Sequence, residues 1–429
     1  MRDDVAMLLR RATFGPTASE VAAARRAGYA ATVARLTSPV GPDRGAAAAP
    51  VPDLGRDPFD DLPDPTVEQR AAAEATRRHH TDTIIRWWLD RLTVADHQAT
   101  EKLLFFWHGH WATSIRKVGS PQFMLAQHQK MRVAPDVRAM ARALVCDPAL
   151  VYWLDGQLNT KDAPNENLAR ELMELFLLGI GNYTERDVKE AGRALTGWRT
   201  DLGVPATAIF FPEDHDARPK TILGATAAFD AFTLVGHLVN RPACARFIAA
   251  RLWFRYGSST EPLARSTEQR MVAAFPVGAR MLRALLSDDE FRSGRHRLVK
   301  QPVEWLVGAL RQLGLRPARL SGETLHQLTT GLGGLGQVPF APQSVGGWPA
   351  GTAWLSSAAA QIRLGLADLL AGLAYAERGD DVDRMNPERL AEVLAVDTWT
   401  NRTYLALKRA GSPRQLLTLG LVSPEYLVN

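Results

Sequence analysis

The segment that most constrains the fold is residues 165–181, which read NENLARELMELFLLGIG. Asn165 at its start and the two glycines at its end are typical helix boundaries. At about 100° per residue, Leu168, Leu172, Leu175 and Phe176 share one face, and Glu171 and Glu174 share another. Because its second half is apolar almost all round, this segment predicts a buried helix that carries two carboxylates.

Two carboxylates on a buried helix need a cation, a proton or several hydrogen-bond donors. One interpretation is an internal salt bridge to Arg170 and neighbouring arginines, because structural ion-pair networks also use such groups. The other interpretation is that this helix forms one wall of a functional site. The segment alone leaves both interpretations open.

A second polar pair follows an apolar helical pattern in residues 96–114, where His108 and His110 flank Gly109. On a continuous helix, residues i and i+2 do not share a face. Gly109 can break the helix, which would let both imidazoles converge as metal ligands. The same histidines are equally consistent with a structural role among the neighbouring tryptophans.

Residues 199–229 show the weakest helical pattern, and AIFF at 208–211 is the one convincing strand. The loop after this strand carries His215, Asp216 and Lys220. Polar loops are usually solvated surface, but loops on a rigid scaffold also carry function. These three side chains are therefore candidates for the same site.

The remaining pattern is helical, so the sequence predicts an all-α fold: a large multi-helix single domain over residues 1–429. At most a minor short-strand element is expected near residues 205–225. Residues 38–66 are rich in Pro, Gly and Ala and predict a flexible loop or insert within the domain. GLGGLG at 331–336 follows no strand, so we interpret it as a turn and expect no nucleotide cofactor.

Composition excludes several classes of protein. The net charge of +5 is spread over 429 residues without a basic, aromatic-interleaved stripe, which argues against nucleic-acid binding. Two cysteines in unrelated settings predict buried thiols rather than a disulfide framework. The start lacks the apolar core of a signal peptide, and no stretch reaches membrane-spanning length. We therefore expect a cytoplasmic protein with no membrane segment.

Several segments together resemble one known family. They are LLRRATFGPT at 8–17, FWHGHWATS at 106–114, the long block at 164–198, HDARPKTILG at 215–224, RPACARFIAARLW at 241–253, GGWPAGTAWL at 346–355 and SPEY at 423–426. In this order, and over nearly the whole chain, they resemble the bacterial family catalogued as domain of unknown function 1800. The resemblance implies a mostly helical fold, a sulfatase-like partner protein and frequent export.

The resemblance also implies a set of recurrent polar positions. They are His108, His110, Asn165, Glu166, Arg170, Glu171, Glu174, His215, Asp216 and Lys220. Family members usually carry HNHF where this chain has HGHW at 108–111, which removes an amide but keeps both histidines. Imidazoles and carboxylates suit a metal or acid–base site, and Arg and Lys can hold an anion.

Three functions fit these residues. The first, which we favour, is a metal-dependent hydrolase or oxidoreductase in which Zn, Fe or Mn is held by His108 and His110 with His215 or Asp216, beside Glu171 or Glu174. The second is a metal-free acid–base enzyme or transferase whose Glu171 or Glu174 is the base, with Arg170 and Lys220 orienting a small, anionic substrate. The third is a non-catalytic helical binding or assembly protein with a buried ion network.

Overall fold

The computed structural model describes residues 3–201 and 207–429. The first half of this chain is a succession of helices, most of which begin at a Ser, Thr or Asp that caps their first turn. These helices are α1 Asp4–Ala12, α2 Ala18–Ala27, α3 Tyr29–Thr37, α4 Arg44–Ala47, α5 Val67–Val94, α6 Gln98–His110, α7 Ile115–Val118, α8 Pro121–Val133, α9 Val137–Leu144 and α10 Pro148–Trp153.

The middle of the chain contains the central segment and the strands. Its elements are α11 Asn167–Glu171, a π-helix Leu172–Leu177, α12 Glu185–Ala194, β1 Trp198–Asp201, β2 Thr207–Phe210, β3 Lys220–Ile222 and β4 Ala225–Ala227. β1 and β2 pair antiparallel with Trp198 opposite Phe210, and β3 and β4 pair antiparallel with Lys220 opposite Ala227. The all-α prediction with a minor strand element is confirmed, although residues 202–206 lie outside the described part.

The last part returns to helices. They are α13 Ala231–Val239, α14 Pro242–Tyr256, α15 Arg265–Ala273, α16 Gly278–Leu286, α17 Asp289–Arg292, α18 Pro302–Leu313, α19 Gly322–Gly334, α20 Ser357–Asp383, α21 Pro387–Val393, α22 Asn401–Lys408, α23 Pro413–Leu421 and α24 Pro424–Leu427. Short 3₁₀ helices lie at Gly156–Leu158, Pro212–Asp214, Pro317–Arg319 and Gly351–Trp354.

The chain packs around one extended hydrophobic core, which includes buried residues from Met7 in α1 to Tyr426 in α24. Helices α5, α6 and α8 contribute much of it. Trp88 in α5 and Trp111, directly after α6, are both at 0% exposure. Both cysteines are free thiols, and burial raises the pKa of Cys244 to about 12. Among the described residues, no helix has the length and apolarity needed to span a bilayer.

The structure adds detail to two segments that the sequence analysis interprets as irregular. Four residues of GLGGLG, Gly331 to Gly334, belong to the last turn of α19, and the chain turns only at Gly336, which has a φ of +82°.

In residues 38–66, regular structure is sparse, as the composition predicts. The buried Asp57 nevertheless anchors this segment by accepting hydrogen bonds from Arg77 and Ser120 at 2.7 Å each. Flexibility of the segment stays a prediction.

Candidate functional site

His108 lies in an aromatic pocket of the core. Trp88, Phe340 and Trp348 surround its ring, with centroids 4.8, 5.1 and 5.5 Å away. Its Nε2 accepts a hydrogen bond from the backbone N–H of Phe340 at 3.0 Å, so that nitrogen carries no proton. Burial lowers the pKa of His108 to about 3, which keeps the imidazole neutral at physiological pH.

Gly109 does not break the helix, so the sequence prediction of a break is wrong. Helix α6 continues to His110, and two residues of a helix turn by about 200°, which directs the two imidazoles apart. The glycine instead permits close packing. A Cβ on Gly109 would lie 3.3 Å from the Trp348 ring, and a Cβ on Gly347 would lie 2.1 Å from the Gly109 carbonyl oxygen.

His110 contacts the central segment at its π-helix. The Nε2–H of His110 donates to the Phe176 carbonyl at 2.8 Å, which leaves Nδ1 as the unprotonated nitrogen. Nδ1 is buried and has no hydrogen-bond partner among the described residues. Burial, with the charge of Arg251 next in importance, lowers the pKa of His110 to about 3. The His110 imidazole is therefore neutral, and its hydrogen bond to the Phe176 carbonyl stabilises the π-helix.

The central segment forms a helix, as predicted, but its second half is wound as a π-helix. The Asn165 side chain accepts from the Asn167 N–H at 2.8 Å, and Gly179 ends the segment with a φ of +80°. The Leu178 N–H reaches back five residues to the Met173 carbonyl at 2.8 Å. Such wide turns are rare and often occur at functional sites.

The π-helix borders a cleft of about 540 Å³, which we call the Glu174 cleft. Its wall is mainly apolar, and its charged residues and His110 come from four helical elements. Residues that define it are His110, Glu174, Phe247, Arg251, Leu263 and Glu268. Of the polar side chains predicted from the sequence, the structure brings His110 and Glu174 together here.

Glu174 is half-buried and presents its carboxylate at this cleft. One oxygen, Oε2, accepts a hydrogen bond from the Tyr183 hydroxyl at 2.7 Å, and Oε1 has no hydrogen bond among the described residues. Burial and this hydrogen bond raise the pKa of Tyr183. Glu171 does not line the cleft, and burial together with the nearby charge of Glu174 raises its pKa.

Two arginines of α14 also line the cleft, Arg246 at its exposed rim and Arg251 deeper in. Nε of Arg251 is buried without a hydrogen-bond partner, and no described carboxylate forms an ion pair with its guanidinium. Burial lowers the pKa of Arg251. The guanidinium lies over the ring of Phe254, whose centroid is 5.7 Å from Cζ of Arg251.

Arg170 is engaged elsewhere. Its guanidinium donates two 2.7 Å hydrogen bonds to Glu185 in α12 and a 3.3 Å bond to Glu166. The hydrogen bonds to Glu185 chiefly raise the pKa of Arg170. This arrangement is the internal salt bridge that the sequence allowed, and it joins α11 to α12 rather than facing the cleft.

His215, Asp216 and Lys220 form a separate network around Thr196. Asp216 is nearly buried and accepts hydrogen bonds from Arg218 at 2.7 Å and Arg193 at 2.8 Å, and the bond from Arg218 chiefly lowers its pKa. The Lys220 ammonium, which is 1% exposed, donates to the carbonyls of Asp216 and Phe229. Nδ1 of His215 lies 3.2 Å from the Thr196 hydroxyl.

Comparison with family models gives one assignment. The model described as "Protein of unknown function (DUF1800)" matches residues 7–428, which is nearly the whole chain. The chain belongs to the DUF1800 family. Comparison with curated proteins and with solved structures found no match.

Four of the segments that carry the DUF1800 resemblance meet at the Glu174 cleft. His110 comes from 106–114, Glu174 from 164–198, Arg251 from 241–253 and Gly346 from 346–355. The HDARPKTILG segment instead forms the Asp216 network. The recurrent polar positions of this DUF1800 chain therefore divide between one cleft and several structural contacts.

The four predicted metal ligands of the DUF1800 chain lie in three environments. His108 is in the aromatic pocket, His110 is at the cleft, and His215 and Asp216 are in the Thr196 network. Within residues 3–201 and 207–429, no group of three or more His, Cys, Asp or Glu side chains is placed to hold a metal ion. Binding of Zn, Fe or Mn stays a prediction of the sequence.

The sequence reasoning missed the cleft residues on α14 and α15. Arg246, Arg251 and Glu268 are absent from the predicted set, although RPACARFIAARLW contains three arginines in an otherwise apolar pattern. Cations within an apolar helical pattern were the available signal, because such a helix is expected to be largely buried.

Proposed function

We infer that this DUF1800 protein is an enzyme that binds a small organic molecule in the Glu174 cleft and transfers a proton there. The observation that carries this proposal is the state of Glu174. One of its oxygens is fixed by the Tyr183 hydroxyl at 2.7 Å, and the other has no hydrogen bond among the described residues. A carboxylate held in this way at a cleft has the geometry of a general base.

The surroundings of Glu174 support this role. The mainly apolar wall strengthens electrostatic interactions with a bound molecule by excluding water. Tyr183 orients the carboxylate, and His110 positions the π-helix through the Phe176 carbonyl. His110 acts here as a positioning residue, because both of its ring nitrogens are buried.

This proposal corresponds to the metal-free acid–base alternative of the sequence analysis, with two changes of residue. Glu174 is the base rather than Glu171, because Glu174 lines the cleft. Arg170 and Lys220 do not orient the substrate in this proposal. Arg170 donates its hydrogen bonds to Glu185, and Lys220 donates to two backbone carbonyls. The geometry favours acid–base chemistry over the proposed metal site because the predicted ligands lie apart.

The test is turnover of small molecules from a bacterial cell extract, followed by mass spectrometry. We expect the parent protein to deplete one or a few metabolites and to form matching products. Glu174→Gln keeps the size of the side chain and removes the base, so we expect the rate to fall by about 100-fold or more. Glu171→Gln, one turn earlier on the same segment, serves as the matched control and should retain the activity.

Two outcomes would contradict the proposal. Equal turnover by the parent and a folded Glu174→Gln variant would exclude Glu174 as the base. Metabolite profiles that the parent leaves unchanged would instead favour the non-catalytic binding or assembly protein. Thermal unfolding of each variant, monitored by circular dichroism, confirms that the comparison is between folded proteins.

A further inference from the structure

The wall of the Glu174 cleft has a charged part and an apolar part. The apolar part is formed by Leu175, Leu178, Ile180, Phe247, Leu263 and Val345. Ile180 is 80% exposed and lies at the rim, so apolar surface continues from the interior of the cleft to solvent. A ligand that fills this space therefore needs a hydrocarbon part.

The charged part of the wall contains an unpaired cation. Arg255, one turn after Arg251 on α14, donates hydrogen bonds to the carbonyls of Trp348 and Pro349, so its guanidinium already has acceptors within the protein. Arg251 has no such acceptor among the described residues, and its Nε is buried. A buried guanidinium nitrogen without an acceptor is costly, and an anion from outside the chain would supply the missing counter-charge.

The acidic side chains of the cleft do not form an ion pair with Arg251 among the described residues. Glu174 accepts the Tyr183 hydroxyl, and neither Glu174 nor Glu268 forms an ion pair with Arg251 or Arg246 in the part of the chain that the structure describes. The two arginines and two glutamates balance in charge, but no ion pair joins them in the part of the chain that the structure describes. This separation leaves the guanidinium of Arg251 available to a ligand and Glu174 available as a base.

We propose that the ligand of the Glu174 cleft is an amphiphilic organic anion, with a carboxylate or phosphate bound by Arg251 and a hydrocarbon part on the apolar wall. Arg246 contacts the anionic group from the exposed rim. The guanidinium can donate two parallel hydrogen bonds to either group, which a neutral head group cannot receive with the same strength. This inference names the substrate class of the proposed function and rests on it.

Calorimetric titration with simple probes tests this inference without any turnover. We expect hexanoate and hexyl phosphate to bind, and their relative affinities show which anion fits. Acetate has the charge without the hydrocarbon part, and hexanol has the hydrocarbon part without the charge. Each of these two should bind at least about tenfold more weakly than hexanoate, because each loses one of the two contacts.

Variants locate the anion site. We expect Arg251→Gln to weaken hexanoate binding tenfold or more and to leave hexanol binding nearly unchanged. Arg402→Gln, which removes an exposed arginine of α22 that does not line the cleft, is the matched control and should bind like the parent. If Arg251→Gln does not fold, Arg246→Gln replaces it, because that side chain is exposed and its loss should weaken hexanoate binding by a smaller factor.

Absence of hexanoate and hexyl phosphate binding to the parent would overturn the inference, as would equal binding of hexanoate and hexanol. Equal affinities of Arg251→Gln and Arg402→Gln for hexanoate would do the same. Failure of the proposed function gives a different result. In that case hexanoate still binds through Arg251, but turnover does not depend on Glu174, and the protein is a binding protein for the same class of ligand.

Discussion

Lowering the pH from 7 to 5 is expected to reduce the free energy of unfolding of the parent protein by several kcal/mol. Three histidines of the core, His108, His110 and His128, have lowered pKa values in the folded chain, chiefly because of burial. Each stays neutral when folded and takes up a proton on unfolding once the pH is below about 6.5. Their contribution to stability is complete above that pH and is lost as the pH falls towards the folded pKa, which is about 3 for His108 and His110.

The size of the effect follows from proton linkage. A buried histidine with a folded pKa of about 3 lowers the free energy of unfolding by about 1.4 kcal/mol per pH unit below 6.5, so His108 and His110 together contribute about 4 kcal/mol at pH 5, and His128 acts in the same direction. Glu171 and Asp147 oppose this trend, because their pKa values are raised in the folded chain by burial. Urea unfolding at several pH values between 7 and 5 measures the net slope.

One variant assigns the slope to the core histidines. His108→Gln retains an amide oxygen that can accept the Phe340 N–H, but it removes the titrating group. We expect the pH slope of this variant to be smaller than that of the parent by about 1.4 kcal/mol per pH unit. His326→Gln, at an exposed position of α19, is the control. Identical slopes for the two variants would contradict the explanation.

The second large effect is expected at Glu101, which is 1% exposed on α6. Its carboxylate accepts a 2.9 Å hydrogen bond from Arg91 on α5, and 2.6 and 2.8 Å bonds from Arg132 on α8. This carboxylate therefore joins the three helices that surround the aromatic pocket. Glu101→Gln leaves two partly buried guanidinium groups without a counter-charge, and it should lower the free energy of unfolding by about 3 kcal/mol or more.

A matched control exists for this substitution. Glu185 also accepts a pair of hydrogen bonds from one arginine, Arg170, but its side chain is 69% exposed. Because exposed ion pairs contribute little, Glu185→Gln should cost less than about 1 kcal/mol. Urea unfolding at pH 7 measures both variants. Equal losses of stability would show that burial of the Glu101 network has no special importance.

The sequence predicted the helical part of the fold well because its signals are local. The helical spacing of apolar residues and the boundaries of the central segment at Asn165 and Gly179 depend on neighbours within a few positions, and both are observed. The π-helix could not be predicted in this way, because an apolar segment has almost the same pattern in α and π form. The His110 side chain, 66 positions away along the chain, donates to the Phe176 carbonyl of that turn.

The candidate site was predicted only in part for a related reason. His110 and Glu174 meet at one cleft, as the sequence interpretation required, but His108 points elsewhere because α6 continues through Gly109. The pairing of Arg170 with Glu185, and of Asp216 with Arg193, joins residues that are 15 and 23 positions apart. Residue type identified these groups as ionisable, but tertiary packing decided which of them have partners.

The most direct test of the central claim, that a ligand binds next to Glu174, is carbon-13 NMR of side-chain carboxyl groups in glutamate-labelled protein. The signal that disappears in Glu174→Gln belongs to Glu174, and the signal that disappears in Glu171→Gln belongs to Glu171. On titration with hexanoate, we predict that the Glu174 signal shifts and saturates at the dissociation constant found by calorimetry, while the Glu171 signal shifts much less. A saturating shift at Glu171 with none at Glu174, or no shift at either carboxyl, would contradict this account.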